Sequence, residues 1–391
     1  MLKKLFKILP SQLKLQDQFI ILLIFSTIIP VSIVGLYGIY SSSNTLSEVA
    51  KEKMEAESTK EANKINAFLN GVSDDVLLLS KTPPIPGIIR AKDNGGVDGQ
   101  TNLSYNAWVG QLQILFTAMM ERKPHYMQLR YIDEKGREIV RVDSDGGNIK
   151  IISAAELQNK GDRPYFIETI KLTPGSIYVS PVDLKQENGQ IETPFKPVIR
   201  YATPIVDSSG QKRGIVIANV FAKKFIDAFK EVNKQAEEEN AYEGKEKFIV
   251  NQNGYYISHP MPEKEWGFEF KKEDKLDQDF PPEVTREILN KEKGFIDNGE
   301  YLFTFHRVDP SPNQPEFLVV LNKVPHKSVF AAVNSFKLVA FLIIILSLAV
   351  VLPLGFIRAR QIVNLIKQLV NIISASIQQT FSGLDQQARI A

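Results

Sequence analysis

Two charge-free apolar runs bound what this chain can fold into. QFIILLIFSTIIPVSIVGLYGIY, from Gln18 to Tyr40, and LVAFLIIILSLAVVLPLGFI, from Leu338 to Ile357, each supply the roughly 20 apolar residues that cross a bilayer core. A cleaved signal peptide is the competing reading of the first run, but its apolar core is about 7 to 15 residues and ends in small residues. The run is longer than that, so transmembrane helices are expected over residues 18–40 and 336–357. Pro30 and Pro353 are tolerable inside them because a helix in lipid re-satisfies freed carbonyls locally. Lys3, Lys4, Lys7 and Lys14 precede the first run, and Arg358, Arg360 and Lys367 follow the second. The positive-inside rule then places residues 1–17 and 358–391 in the cytoplasm and residues 41–335 outside.

The outside region reads as α+β. Ile65, Phe68, Leu69, Val72, Val76 and Leu79 recur at helical spacing, which predicts a stalk helix over residues 41–82 that ends at Pro83, Pro84 and Pro86. DNGGVDGQTN reads as an exposed loop, and a helix is expected from Ala107 to Glu121. Three hairpin signals follow, each with Asp or Asn and then Gly three residues on: Asp133 and Gly136, Asp207 and Gly210, Asn251 and Gly254. A fourth strand pair is expected from Tyr301 to Val308 and Glu316 to Val324, across DPSPNQP. A helix near Tyr165 to Lys171 and a strand around Ile177 to Val182 lie between the first two hairpins. The charged stretch AFKEVNKQAEEENAYEGKEK separates two strand sets. The expectation is two tandem antiparallel-sheet modules in series on the stalk, over residues 83–228 and 240–325.

Charge and motif content exclude several classes. A formal net charge of +2 with 24% charged residues provides no basic field for nucleic acid. The absence of cysteine removes disulfides, thiol nucleophiles and thiolate metal sites. His125, His259, His306 and His326 are scattered without ligand-pair spacing, and no nucleophile elbow, P-loop or dinucleotide fingerprint occurs. Asp143 and Asp145 resemble the start of a calcium loop, but Gly and Glu do not fall where that loop needs them, so a polar turn is expected. No catalytic domain, metal or cofactor is expected.

The stalk helix, the DEKG hairpin, GDRPYFIET, GSIYVSPVDL, KPVIRYATPIVDSSGQKRGIVIANV and NQNGYYISHP together resemble the double Cache sensor domain of bacterial transmembrane receptors. The resemblance covers about residues 41–335. It implies two PAS-like modules, with a small-molecule site in the first, membrane-distal one. Arg163, Tyr165 and Phe166 resemble the family's Arg-x-aromatic-aromatic element, whose guanidinium forks onto a ligand carboxylate while the rings wall the pocket. Tyr178 and Asp183 follow at a comparable distance. In the other reading of the same residues, Arg163 pairs with Asp162 or Glu168 at the surface and the aromatics are core. Asn219 stands where amino-acid-binding members carry an acid for the ligand ammonium, so the resemblance favours a carboxylate ligand without an α-amino group. Arg200 either adds a second positive group or is an exposed strand arginine. The implied partners are a small molecule or a ligand-carrying protein.

After Arg360, the positions Val363, Ile366, Val370, Ile373, Ile377, Thr380 and Leu384 keep the three- and four-residue alternation of a coiled-coil seam, which predicts a homodimer. RQIVNLIKQL resembles the first helix of a HAMP linker, with Leu365 in place of the usual proline and Gly383 late. IISASIQQTFSGLDQQARIA resembles the start of the signalling helix of methyl-accepting chemotaxis receptors. The expected function is therefore transmembrane sensing in a bacterial inner membrane with a chemotaxis output. A sensor kinase or cyclase input region, or a tethered binding protein without output, are the alternatives.

Overall fold

The computed structural model describes residues 15–187, 189–236, 242–311 and 315–388. The chain divides into two units, one of residues 50–328 and one of the segments up to Val49 and from Val329. Helix α1 (Leu15–Ser80) begins in the latter. Ile33, Val34 and Leu36 are exposed along it, as are Leu342, Leu346 and Leu354 on the last helix. Both helices are long and apolar enough to cross a membrane, and their uncovered apolar side chains suit lipid as solvent. Of the expected seam on the last helix, Val363 is buried, whereas Ile366, Val370, Ile373 and Ile377 present an open apolar edge. Lys3, Lys4, Lys7 and Lys14 lie outside the described residues.

In the other unit, Ile65, Leu69, Val72, Val76 and Leu79 of α1 are buried, as their spacing predicts. The proline cluster that ends α1 also opens a helix the sequence reading did not expect, α2 (Pro84–Asp93). Pro84 is its first residue and Pro86 lies in its first turn, where backbone N–H groups have no intrahelical partner to lose. α3 (Tyr105–Arg122) is capped by Ser104, whose Oγ accepts the Ala107 N–H at 3.2 Å.

The first sheet contains β1 (Tyr126–Ile132), β2 (Glu138–Ser144) and β3 (Ile149–Ile151), and α4 (Pro164–Lys171) follows them. β4 (Tyr178–Val179) and β5 (Asp183–Leu184) come next, then a small ribbon of β6 (Gln186–Glu187) and β7 (Gln190–Ile191). β8 (Pro197–Val206) and β9 (Lys212–Phe221) complete the sheet, whose order is β3-β2-β1-β9-β8-β4 with β5 also on β8. The strand expected over 177–182 forms only as β4, and β5 begins beyond it at Asp183, because Pro181 between them has no N–H to continue the ladder. One face, with Leu129, Tyr131, Val140, Val142, Tyr201 and Val216, shares a core with α1, α2 and α3. The opposite face carries α4.

α5 (Lys223–Ala236) then leads toward the second sheet, and residues 237–241 of the charged stretch lie outside the described residues. β10 (Glu246–Asn251), β11 (Tyr256–Ser258), helices α6 (Leu276–Asp279) and α7 (Pro282–Asn290), β12 (Lys293–Asp297), β13 (Tyr301–Val308) and β14 (Leu318–Pro325) build it. Its order is β11-β10-β14-β13-β12. Residues 312–314 of the connector DPSPNQP lie outside the described residues. The last helix is α8 (Ala331–Ala388).

The three hairpin signals close alike. The N–H of Gly136, Gly210 and Gly254 donates to the carbonyl of Asp133, Asp207 and Asn251 at 2.9, 3.0 and 2.9 Å, and each glycine has positive φ. Gly214 at the start of β9 is more constrained, since its φ is +123° and an added Cβ would lie 2.0 Å from the Ile132 carbonyl oxygen.

Candidate functional site

Antiparallel register sets two cross-strand rows on the α4 face of the first sheet. Arg200, Asn219, Gln128 and Asp143 stand opposite one another across β8, β9, β1 and β2. One step along, Ala202, Ile217, Arg130 and Arg141 form the next row. Ala202 and Ile217 of that row, with Ile132 and Ile215 beyond it, make the rest of the face apolar, and Phe166 of α4 packs against them. α4 thus covers the apolar end of the face and leaves the polar end open beneath its N-terminus.

Above that polar end lies a cavity of about 380 Å³. Its floor is Gln128, Arg130, Arg141, Arg200 and Asn219, and its walls are Lys160, Arg163, Pro164 and Tyr165 at the start of α4. Tyr178, Ser180, Asp183 and Lys185, on the strap through β4 and β5, complete it. The floor is a connected network. Arg130 Nη2 donates to Asn219 Oδ1 at 2.9 Å and Nη1 to the Tyr165 hydroxyl at 3.1 Å, with the guanidinium 5.3 Å from the Tyr165 ring centre. Asn219 Nδ2 donates to Gln128 Oε1 at 2.9 Å, and Gln128 Nε2 to Asp143 Oδ2 at 3.3 Å. Arg130 and Arg141 face each other across β1 and β2, a repulsive pairing relieved by the buried Glu138, 3.4 and 3.9 Å from them. Arg200 Nη1 donates to both oxygens of Asp183 at 2.9 and 2.7 Å. Burial pushes the Asp183 carboxyl up, a push that the Arg200 guanidinium opposes.

A family model described as the sensor domain of bacterial histidine kinases matches residues 107–320. The chain belongs to the bacterial histidine kinase sensor-domain family. Two solved structures agree on the fold, and a third aligns at a lower score. The extracellular domain of a protein assigned as the histidine kinase vpHK1S-Z8 is 18% identical with a TM-score of 0.57, over 74% of this chain and 96% of that one. A domain of a protein assigned to the sensory box/GGDEF family from Vibrio parahaemolyticus is 18% identical with a TM-score of 0.54, over 71% and 98%. The periplasmic sensory domain of the Campylobacter jejuni chemoreceptor Tlp1 is 15% identical with a TM-score of 0.48, over 73% and 98%. No curated protein matches the sequence. The fold is that of tandem Cache modules, and the chain carries a sensor domain.

In this histidine kinase sensor domain, six of the seven residues singled out in the sequence line the one cavity: Arg163, Tyr165, Tyr178, Asp183, Arg200 and Asn219. Phe166 does not. At 7% exposure it is core, because one residue along a helix turns the side chain from the cavity to the sheet below. Arg163 pairs with neither Asp162 nor Glu168, since Glu168 binds Lys171 at 2.9 Å and Arg163 lines the cavity. Arg200 is held by Asp183 rather than exposed as a lone strand arginine.

Sequence reasoning missed Gln128, Arg130, Arg141, Lys160, Ser180 and Lys185. For the first two a signal was present. In β1 they alternate with Met127, Leu129 and Tyr131, so one face of a central strand is polar and the other apolar. A central strand covered on both faces has no solvent for such groups, so they must serve each other or a ligand.

Proposed function

We propose that this chain is a transmembrane receptor that senses an extracytoplasmic small anion, a carboxylate, in the cavity between α4 and the first sheet. The reading divides the chain into a stalk (residues 41–82), a ligand-binding module (83–228) and a membrane-proximal module (240–325), between spans at 18–40 and 336–357. Both termini are cytoplasmic, and the helix after the second span pairs with its copy in a homodimer along the seam from Val363 onward. The observation that carries the proposal is the cavity's charge: six cationic side chains, Arg130, Arg141, Lys160, Arg163, Lys185 and Arg200, line it with the single carboxylate of Asp183. Arg163 is the gripping residue, since its planar fork matches a carboxylate and has no competing partner among the described residues. Tyr165 and Tyr178 wall the ligand, and Asn219 offers no charge to an ammonium group.

The route out of the cavity is the strap, because the Leu184 N–H donates to Glu269 Oε1 of the second module at 3.0 Å. To move an even two-state balance to about 99:1 the ligand must favour one state by roughly 2.7 kcal/mol, within reach of two charge-assisted hydrogen bonds. The likeness of the last twenty residues to a chemotaxis signalling helix supports a chemotaxis output. The family match favours a second reading, a kinase output.

The test is a thermal-shift screen of the full chain in lipid nanodiscs against carboxylates, amino acids, amines and sugars, followed by fluorescence of Trp108 and Trp266. A ligand at a hundredfold excess over Kd stabilises by about 2.7 kcal/mol, a readily visible shift. The expected hit is a carboxylate, lost in Arg163→Ala. A hit outside the carboxylates, or one untouched by Arg163→Ala, would remove this site from the reading. Hits only in the presence of a binding protein would move recognition to a ligand-carrying partner.

A further inference from the structure

Of the six cationic side chains around the cavity, four already have an anionic partner. Arg200 pairs with Asp183 at 2.7 Å, Arg141 with Asp143 at 2.6 Å, Lys185 with Glu192 at 2.7 Å, and Arg130 with Glu138 at 3.4 Å. The other two are Lys160, whose Nζ donates to the neutral Gln158 Oε1 at 2.6 Å, and Arg163. Both sit at the rim on the segment that enters α4. The rim therefore carries two positive charges without a carboxylate.

The floor is short of acceptors as well. Arg130 has only 4% of its side chain exposed, its Nε finds no hydrogen-bond partner, and its one carboxylate contact is long and shared with Arg141. A buried guanidinium N–H without an acceptor is costly, and such a group in a binding cavity is an acceptor's place. The two other groups that Arg130 binds are the neutral Asn219 amide and the Tyr165 hydroxyl. Rim and floor are separate stations, because the Tyr165 side chain runs from the start of α4 down to Arg130.

We infer that the ligand is a linear dicarboxylate, one carboxylate held at the rim by Arg163 and Lys160 and the other received at the floor by Arg130. The inference rests on the reading of this cavity as the ligand site and goes beyond it in giving the ligand two charged ends and in assigning Arg130. A single compact dianion such as inorganic phosphate reaches one station only. An α-amino acid would bring its ammonium beside Arg130 or the rim cations, and of the lining groups that could receive it, the Asn219 carbonyl is bound by Arg130 and the Asp183 carboxylate by Arg200. Size is permissive, since about 380 Å³ equals roughly a dozen waters at about 30 Å³ each, more than a short diacid displaces.

The test is isothermal titration of the full chain in nanodiscs with malonate, succinate, glutarate and adipate, each beside the monocarboxylate of equal chain length, and with L-alanine and inorganic phosphate. At least one diacid is expected to bind tenfold or more tightly than its monoacid, and Arg130→Gln is expected to collapse that ratio toward one. Arg163→Ala is expected to weaken both. A wild-type ratio below threefold at every length overturns the inference while leaving a carboxylate site standing, as does a ratio unchanged in Arg130→Gln. Tighter binding of L-alanine or phosphate than of any diacid also overturns it. Binding of none of the carboxylates removes the site reading beneath it. Should Arg130→Gln fail to fold, the wild-type ratio alone decides.

Discussion

Lys247→Met is expected to destabilise the sensor unit by about 3 to 5 kcal/mol, the cost of leaving one member of a buried ion pair alone. Lys247 on β10 has 2% of its side chain exposed and is paired with Glu61 of α1, itself 3% exposed, and with Glu57 at 3.1 Å. Asn322 Nδ2 on β14 donates to Glu61 Oε2 at 3.1 Å, while its own Oδ1 has no partner. Two carboxylates one helical turn apart thus meet two lysines, Lys245 just before β10 and Lys247 within it. Burial pushes the Glu57 carboxyl up, but Lys245 and Lys247 together pull it below its usual range. Methionine fills a similar volume, so the variant removes charge without opening a large cavity and leaves Glu61 facing Asn322 alone. Both tryptophans of the chain, Trp108 and Trp266, lie in this unit, so urea unfolding of the detergent-solubilised protein followed by fluorescence reports on it. The double change Lys247→Met with Glu61→Leu should regain most of the loss, because removing both charges also removes the buried orphan. A single-variant loss below about 1 kcal/mol would refute the reasoning, as would a double variant weaker than the single by the full cost of Glu61→Leu alone.

Three further outcomes follow from local geometry. Phe166→Ala should cost about 3 to 5 kcal/mol of stability as a core truncation, whereas the exposed Arg163→Ala should stay within about 0.5 kcal/mol, both read by the same unfolding curves. Gly214→Ala should lower stability by more than the roughly 1 kcal/mol of an ordinary positive-φ replacement, since its Cβ meets the Ile132 carbonyl; thermal unfolding measures this. His125 is lowered to about 4 by burial and by Lys123, so the unfolded chain takes up its proton first as pH falls. Stability is then constant above about 6.5, declines between 6.5 and 4, and gains no further loss from this group below that; His125→Phe should flatten that window in a pH series of unfolding midpoints.

The sequence showed the architecture best where one local rule decides an element. The apolar runs, the buried stripe of α1 and the three glycine-closed hairpins all stand where spacing and turn chemistry put them. Helix α2 was hidden because prolines that stop one helix can equally begin the next. The gap between β4 and β5 follows from Pro181, whose missing N–H outweighs the β-rich residues around it. Within the site, the residues carried by the Arg-x-aromatic-aromatic element and its neighbours were visible as a string, but a string does not tell which ring turns inward, and Phe166 turned to the core. Arg130, Gln128 and Arg141 come from strands distant in sequence. Only the register of β1 against β2 and β9 brings them under α4, and register is a tertiary fact.

Hydrogen–deuterium exchange of the full chain in nanodiscs, with and without the carboxylate that gives the largest thermal shift, tests the sensing site most directly. The expected result is slowed exchange in residues 160–171 and 178–186 and in β1 and β9, with smaller changes spreading through the contact between Leu184 and Glu269. Slowed exchange confined to the second sheet, or none at all at saturating ligand, would contradict the assignment of this cavity as the place where the signal is received.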